Sequence, residues 1–206
     1  MAIEHYRDAP GAGAEAPLFV LFHGTGGDEN QFFALGSQLL PGARVVTPRG
    51  DVSESGALRF FRRTGEGVYD MDDLWARVAD MAAFIEARRA ESQPSKLVGL
   101  GYSNGANILA ALQFVRPDLF DASVLMHPLI PFAPEPNPGL AGRQVLLTAG
   151  RRDPMVPAGA TEALEQYFAG QGAQTRLFWH EGGHELRQEE LLEARDFLSP
   201  FAPREA

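Results

Sequence analysis

The sequence predicts an α/β fold, with a mostly parallel central sheet and helices on both of its faces. Short apolar runs rich in valine, leucine and phenylalanine alternate with longer segments in which apolar residues recur every three or four positions. Glycine and proline fall at the joints, as in TPRG at 47–50 and in the proline-rich stretch 127–139. Uniformly apolar strands separated by helices are typical of βαβ units around a sheet that is buried on both faces.

Each predicted element follows from one of these two patterns. The uniformly apolar runs predict strands at 18–23, 44–47, 96–100, 122–127, 144–149 and 175–180. The helical spacing predicts helices at 31–40, 72–90, 104–115, 161–170 and 185–197. In the second helix the apolar residues form a single stripe that is expected to pack on the core, made of Leu74, Val78, Met81, Phe84 and Ile85.

The composition is that of an ordinary globular protein, with 45% of the 206 residues hydrophobic and 22% charged. We expect a single domain over 1–206. The formal net charge of −9 would repel phosphates, so nucleic acid and anionic membrane surfaces are not expected partners. The chain has no cysteine for disulfides or thiolate metal sites, no signal-peptide pattern and no apolar stretch long enough to span a membrane, which favours a cytoplasmic location.

A candidate nucleophile follows the third predicted strand. The segment GYSNGA matches the pattern G-x-S-x-G, with Gly101, Ser103 and Gly105. The pattern suits a serine on a tight turn between a strand and a helix, because small residues two positions to either side avoid steric clashes. The turn would present the hydroxyl of Ser103 at a helix N-terminus, where a developing negative charge is favoured. We therefore predict that Ser103 is a catalytic nucleophile.

Two later strand ends carry the partners that such a serine needs. Asp153 follows the fifth predicted strand in GRRDPMVP, and His184 follows the sixth in EGGHEL. A serine hydroxyl is a weak nucleophile at neutral pH, so it requires an imidazole base whose tautomer is fixed by a carboxylate. The chain order Ser103, Asp153, His184 is the order found in α/β-hydrolase triads.

Other carboxylates fit this role less well than Asp153. Asp118 and Asp121 lie between a predicted helix and the next strand, which places them at the opposite edge of the sheet. Asp70, Asp72 and Asp73 precede a predicted helix, where acidic residues stabilise the N-terminus.

The first predicted strand ends in LFHGTGGDEN, a glycine-rich loop. Acyl transfer needs hydrogen-bond donors for the oxyanion, commonly the N–H after the nucleophile and another from the loop after an early strand. The backbone N–H groups of Thr25 and Asn104 are the expected donors. His23 in the same loop and His127 at the end of the fourth strand are each expected to be structural hydrogen-bonding residues or, alternatively, catalytic ones. His23 is also a candidate for substrate binding.

Residues 180–184, His-Glu-Gly-Gly-His, match the H-E-x-x-H pattern of zinc metalloproteases. Zinc binding by this pattern requires a helix, and the paired Gly182 and Gly183 disfavour one. The positions at which one class of zinc protease carries glycine and a third histidine ligand are Arg187 and Glu190. We therefore expect no metal, and we assign only His184 to catalysis.

The segment RFFRR at 59–63 places three arginines in a protein of net negative charge. If it is extended, Arg59, Phe61 and Arg63 share one face and Phe60 and Arg62 share the other. Pairing with nearby acidic residues is one interpretation of these arginines. The alternative is that Arg62 or Arg59 binds a carboxylate of the substrate, which a planar guanidinium suits.

Together these motifs resemble the small serine hydrolases of the phospholipase/carboxylesterase family, a lid-poor branch of the α/β-hydrolase superfamily that includes acyl-protein thioesterases. The resemblance covers nearly the whole chain, and RFFRR and GYSNGANI are most similar to bacterial hydrolases associated with quinone stress. It implies an α/β-hydrolase fold with a minimal lid, esterase activity without a cofactor, Ser103, Asp153 and His184 as the triad, and Thr25 and Asn104 as oxyanion donors. GYSNGA stands where acyl-protein thioesterases have GFSQGG, which disfavours a long-chain thioester.

The predicted function is hydrolysis of a small-molecule carboxylic ester through an acyl-enzyme, by a monomer or a homodimer. A hydrolase of C–C bonds or enol-lactones derived from aromatic ring cleavage could use the same triad. A non-catalytic ligand-binding module with this fold is the alternative from another class, and a metalloprotease is a third.

Overall fold

A seven-stranded sheet lies at the centre of the computed structural model, which describes residues 3–203. Residues 1–2 and 204–206 of the predicted 1–206 domain lie outside the described residues. The strands are β1 (Tyr6–Ala9), β2 (Leu18–Phe22), β3 (Arg44–Pro48), β4 (Val52–Glu54), β5 (Ala57–Arg59), β6 (Arg63–Gly65), β7 (Val68–Tyr69), β8 (Leu97–Tyr102), β9 (Ala122–Met126), β10 (Gln144–Gly150) and β11 (Gln174–His180). The helices are α1 (Phe33–Leu39), α2 (Met71–Ser92), α3 (Asn104–Val115), α4 (Ala158–Gly170) and α5 (Gln188–Leu198), with short 3-10 turns at Pro138–Leu140 and Ser199–Phe201.

The central sheet has the order β1-β3-β2-β8-β9-β10-β11, and all of its pairs are parallel except β1 with β3. All six predicted strands and all five predicted helices are present. The observed boundaries differ from the predicted ones by at most a few residues, and the largest differences are at the N-termini of α4 and α5. The predicted α/β architecture is therefore confirmed.

Successive residues of β2 point into two separate cores, as the pleat of a strand requires. Leu18, Val20 and Phe22 belong to a core that also contains buried residues of α2, α3 and α4. Phe19 and Leu21 belong to the opposite core, which α1 and α5 cover. Helices thus pack on both faces, which explains why the strands have no polar face in the sequence.

Two small hairpins, β4 with β5 and β6 with β7, lie between β3 and α2. The RFFRR segment joins them, since β5 ends at Arg59 and β6 begins at Arg63. The alternation stated for an extended segment does not apply, because the chain bends at Phe60 and Phe61 and both side chains are buried. The two rings fill the core, while the arginines point outward or toward other side chains.

Among the described residues, no helix is both long enough and apolar enough to cross a membrane.

Candidate active site

Ser103, Asp153 and His184 follow three strands of the same half of the sheet, namely β8, β10 and β11. Since these strands are parallel, their carboxyl ends lie at one edge, where ligands bind in open α/β sheets. The structure therefore brings together three side chains that are far apart in the sequence.

Ser103 lies in the turn between β8 and α3 with φ 52° and ψ −117°, a backbone conformation that is costly for a residue with a side chain. A Cβ atom at Gly101 would lie 2.4 Å from the Gly105 carbonyl oxygen, and one at Gly105 would lie 2.3 Å from the Phe22 carbonyl oxygen. Glycine is therefore required at both positions, because the neighbouring backbone lies too close to admit a side chain. The Ser103 N–H donates to the Met126 carbonyl at 2.8 Å, which ties the turn to the neighbouring strand.

A hydrogen-bonded chain runs from the serine to the carboxylate. Ser103 Oγ lies 2.9 Å from His184 Nε2, and His184 Nδ1 lies 2.7 Å from Asp153 Oδ2. The other carboxylate oxygen of Asp153 accepts from the N–H groups of Met155 and Val156 at 2.8 and 3.0 Å. These contacts leave Nε2 of neutral His184 as the acceptor for the Ser103 proton, which is the arrangement required for a general base.

The carboxylate and the imidazole are each held in place. Burial alone would raise the pKa of Asp153, but hydrogen bonds from the His127 and His184 rings and from the Met155 N–H keep it below its ordinary value. The Tyr102 hydroxyl donates to the His184 carbonyl at 2.8 Å, which anchors the loop that carries the imidazole. Asp153 is therefore ionised over the pH range in which an imidazole base works.

Of the predicted oxyanion donors, Asn104 directly follows Ser103, and the loop of Thr25 approaches the same turn, since a Cβ atom at Gly24 would lie 3.6 Å from the Tyr102 carbonyl oxygen. Asn104 is the first residue of α3, and its side-chain oxygen accepts from the Phe60 N–H at 2.8 Å. The Thr25 loop is fixed by hydrogen bonds from the Gly24 N–H to Gln31 and from the Gly26 N–H to the Leu58 carbonyl, each 2.9 Å long. Within the described chain, the backbone N–H groups of Thr25 and Asn104 donate to no other group. Both are available to a ligand.

His23 has both ring nitrogens engaged by the backbone. Nδ1 lies 2.7 Å from the Gly24 carbonyl oxygen, and Nε2 accepts from the Gly50 N–H at 2.9 Å. Burial lowers the pKa of His23. Neither nitrogen is left for a substrate, so these contacts support the structural interpretation of His23 over the substrate-binding one.

The structure separates the arginines of the RFFRR segment. The Arg62 side chain is 59% exposed and pairs with Asp70 at 3.1 Å and Asp73 at 3.4 Å, which fits the structural interpretation. Arg59 is only 6% exposed and lies 3.4 Å from Glu54. Its Nη1 donates to the Thr25 hydroxyl at 3.0 Å, so Arg59 adjoins the predicted oxyanion donors.

His127 and Glu190 also belong to this site, although the sequence favoured a structural role for His127 and indicated none for Glu190. His127 Nδ1 lies 3.0 Å from Asp153 Oδ2, the same oxygen that faces His184. His127 Nε2 lies 3.0 Å from Glu190 Oε1, and both side chains are fully buried. His127 directly follows a strand, and this position in the sequence could have indicated that it lies in the site. Glu190 lies in α5, and nothing in the sequence indicated that it reaches the site.

Within residues 3–203, two groups of side chains place their ligand atoms close enough for a metal ion, namely His127 with His180 and Glu190, and His127 with Asp153 and His184. In the first group the Gly182 N–H donates to His180 Nδ1 at 3.0 Å, so the ring proton of neutral His180 is on Nε2, the atom that would face the ion. In the second group, His184 Nε2 faces the Ser103 hydroxyl and its Nδ1 faces Asp153. The contacts fit hydrogen bonds rather than metal coordination.

Chelation is therefore expected to leave activity unchanged. Excess EDTA followed by gel filtration should return the same rate of ester hydrolysis as untreated protein, since no step of the triad chemistry uses an ion. Loss of activity that added Zn²⁺ restores would contradict this account.

The chain is similar to known proteins in sequence and in fold. The sequence model of the dienelactone hydrolase family matches residues 61–190. The putative hydrolase MhqD of Bacillus subtilis (strain 168) is 37% identical over 187 residues, which are 90% of this chain and 94% of that protein. The crystal structure of Atu2452 from Agrobacterium tumefaciens is 54% identical with a TM-score of 0.90, covering 95% of this chain and 96% of that one. The Bacillus cereus carboxylesterase is 32% identical with a TM-score of 0.88, covering 95% and 93%.

Proposed function

The chain belongs to the dienelactone hydrolase family of the α/β-hydrolase superfamily, and from this premise we propose that it cleaves small carboxylic esters through an acyl-enzyme on Ser103. The match confirms the resemblance to small esterases of that superfamily, and carboxylesterases are among its structural relatives. The chain is accordingly an ester hydrolase, which removes the non-catalytic binding module from the alternatives. The proposal of an acyl-enzyme on Ser103 rests on two contacts, 2.9 Å from Ser103 Oγ to His184 Nε2 and 2.7 Å from His184 Nδ1 to Asp153 Oδ2.

The first half of the reaction forms the acyl-enzyme. As Ser103 Oγ attacks the ester carbonyl carbon, its proton moves to His184 Nε2, and Asp153 stabilises the resulting imidazolium. The carbonyl oxygen becomes an oxyanion that accepts from the N–H groups of Thr25 and Asn104. The imidazolium then gives its proton to the departing alkoxide, the ester C–O bond breaks, and the acyl group stays on Ser103.

The second half repeats these steps with water as the nucleophile. His184 takes a proton from water as the oxygen attacks the acyl carbon, and the same N–H groups hold the second oxyanion. The proton returns to Ser103 Oγ as the acyl–serine bond breaks. The products are a carboxylic acid and an alcohol.

Hydrolysis of a cyclic enol-lactone is a second candidate, favoured by the match to the dienelactone hydrolase family. The same steps open the ring, with the enolate as a leaving group that stays attached to the acyl chain. The test is a panel that contains open-chain esters of increasing acyl length and a cyclic enol-lactone, with product analysis by mass spectrometry. A preference for short open-chain esters supports the main proposal, a strong preference for the lactone supports the second, and no turnover of either overturns both.

The charge around Arg59 supports an anionic substrate. Glu54 accepts from Arg63 Nε with both oxygens at 3.0 Å and also faces Arg59, so two guanidinium groups share one carboxylate. One positive charge is thus left beside Thr25. The pKa of Arg59 is lowered, first by burial and second by the nearby charge of Arg63. A bound anion would offset both effects.

The Arg59→Gln substitution is expected to lower kcat/KM for a carboxylate-bearing ester more than for its neutral analogue. The difference corresponds to about 1.5–3 kcal/mol of transition-state stabilisation, the scale of a hydrogen bond to a charged group. The ratio of the two rates is the measured quantity, since the lost contact with Thr25 lowers both. Arg62→Gln is the matched control and should leave the ratio unchanged. Equal losses on both esters in the Arg59→Gln variant would assign Arg59 a purely structural role.

A further inference from the structure

A buried cluster of histidines and carboxylates lies behind the proposed triad. His127, Asp153 and Glu190 have no exposed side-chain surface, and His127 lies between the two carboxylates, 3.0 Å from each. Glu190 also accepts from the Thr148 hydroxyl at 2.7 Å and from the Arg187 N–H at 2.9 Å. The proposed mechanism gives no role to His127 or Glu190, although burying charged groups is costly unless they are paired.

The contacts assign the protons in this cluster. Both ring nitrogens of His127 face carboxylate oxygens, which can only accept when ionised. With both carboxylates ionised, a ring that donates to each of them carries two protons and is an imidazolium. The Gly182 N–H donates to His180 Nδ1, so His180 Nε2 is the donor to Glu190 Oε2 at 3.2 Å. His180 Nε2 also lies 3.4 Å from His127 Nε2, and both N–H groups point to the same carboxylate.

The backbone of His127 provides independent support. Its φ is 52°, in the left-handed region that residues with a side chain rarely adopt, and its N–H donates to the Thr148 carbonyl at 2.8 Å. Such strain persists only where the surroundings impose it, and it is concentrated at functional sites. Here the strained turn places the ring between the loop that carries Asp153 and the helix that carries Glu190.

We propose that His127 is held as an imidazolium by Glu190 and is a positioning residue, which acts on the catalytic base His184 through the oxygen of Asp153 that both rings share. This proposal rests on the proposed triad. Although burial alone would lower the pKa of His127, the hydrogen bonds and charges of Glu190 and Asp153 raise it above its ordinary value. Glu190 in turn has a lowered pKa, because the contacts with His127 and Thr148 outweigh the effect of burial.

The consequence is a second positive charge close to the catalytic base. The His127 and His184 rings are 5.1 Å apart, so the imidazolium of His127 repels the charge that His184 gains with the Ser103 proton. The other titratable groups of residues 3–203 that face His127 are Tyr102, whose pKa is raised by burial, and His180, whose Nδ1 accepts from the Gly182 N–H.

The first test is the protonation state of His127 in the unmodified protein, read from the ¹⁵N chemical shifts of its ring with the His127→Gln variant for assignment. Both nitrogens should be protonated at pH 7.5, whereas His23 and His180 should show one protonated and one bare nitrogen. A neutral His127 ring at this pH overturns the proposal. This readout does not depend on turnover, so its failure is distinct from failure of the esterase assignment.

The second test is the pH profile of kcat/KM for a neutral ester. Removing the positive charge in His127→Gln should move the acid limb to higher pH by about one unit, the smaller end of the shifts caused by a charge within about 4–6 Å. The matched control is His180→Gln, which removes a neutral buried imidazole that does not contact Asp153 and should leave the limb in place. An unmoved limb in folded His127→Gln overturns the proposal, as does a stoichiometric metal that the purified protein retains and the His180→Gln variant loses.

Discussion

Replacing His184 with alanine is expected to lower kcat/KM by about four to six orders of magnitude. The imidazole is the only side chain that faces Ser103 Oγ within hydrogen-bonding distance in the described chain, at 2.9 Å, so its removal leaves the hydroxyl without a base. The residual rate would come from substrate binding and the oxyanion donors alone.

His180→Gln is the control for this loss, because both histidines belong to the H-E-x-x-H pattern. The His180 ring faces Glu190 and His127 and does not contact Ser103. Its kcat/KM at the pH optimum should stay within about tenfold of the unmodified protein, the scale of an indirect effect. Equal losses in the two variants would contradict the assignment of His184 as the base.

Asp153→Asn is expected to lower kcat/KM by about four orders of magnitude, because an amide no longer fixes the tautomer of the base. The effect should be large here, since Asp153 Oδ2 faces both His184 at 2.7 Å and His127 at 3.0 Å. An amide NH₂ at that position would face two ring N–H groups. If the amide flips, its oxygen can accept from both rings, but it offers them no negative charge.

The control is Asp118→Asn, the same substitution at an acidic residue that pairs with Arg116 on the surface. It should leave kcat/KM unchanged. Circular dichroism and thermal unfolding of both variants separate a catalytic loss from unfolding, which matters because Asp153 is fully buried. A folded Asp153→Asn variant with nearly full activity would exclude Asp153 from the site.

The fold was predictable because the sheet is buried on both faces. Strands such as β8 and β9 are largely apolar and buried at nearly every position, and their order with the helices is the pattern of a parallel sheet. The positions of Ser103, Asp153 and His184 followed from one rule, that polar residues after parallel strands meet at one edge of the sheet. The geometry brings these three residues together, while their catalytic roles stay a prediction until they are tested.

The parts that were not predicted depend on contacts between distant segments. The short hairpins around RFFRR have no apolar run, so they gave no strand signal, and both phenylalanines turn inward because the chain bends between Arg59 and Arg63. Arg59 and Arg62 cannot be told apart by composition, since their different environments are set by Thr25 and Asp70. Glu190 was considered only as a departure from a zinc motif.

The central claim is that Ser103 is a nucleophile made reactive by His184, and covalent labelling tests it most directly. A fluorophosphonate probe reacts only with a serine that can attack phosphorus, and its adduct can be located by peptide mass spectrometry. We predict one phosphonyl group per chain, attached to Ser103, with labelling abolished in Ser103→Ala and strongly slowed in His184→Ala. An active protein that takes up no label, or a label on another residue that persists in Ser103→Ala, would contradict this account.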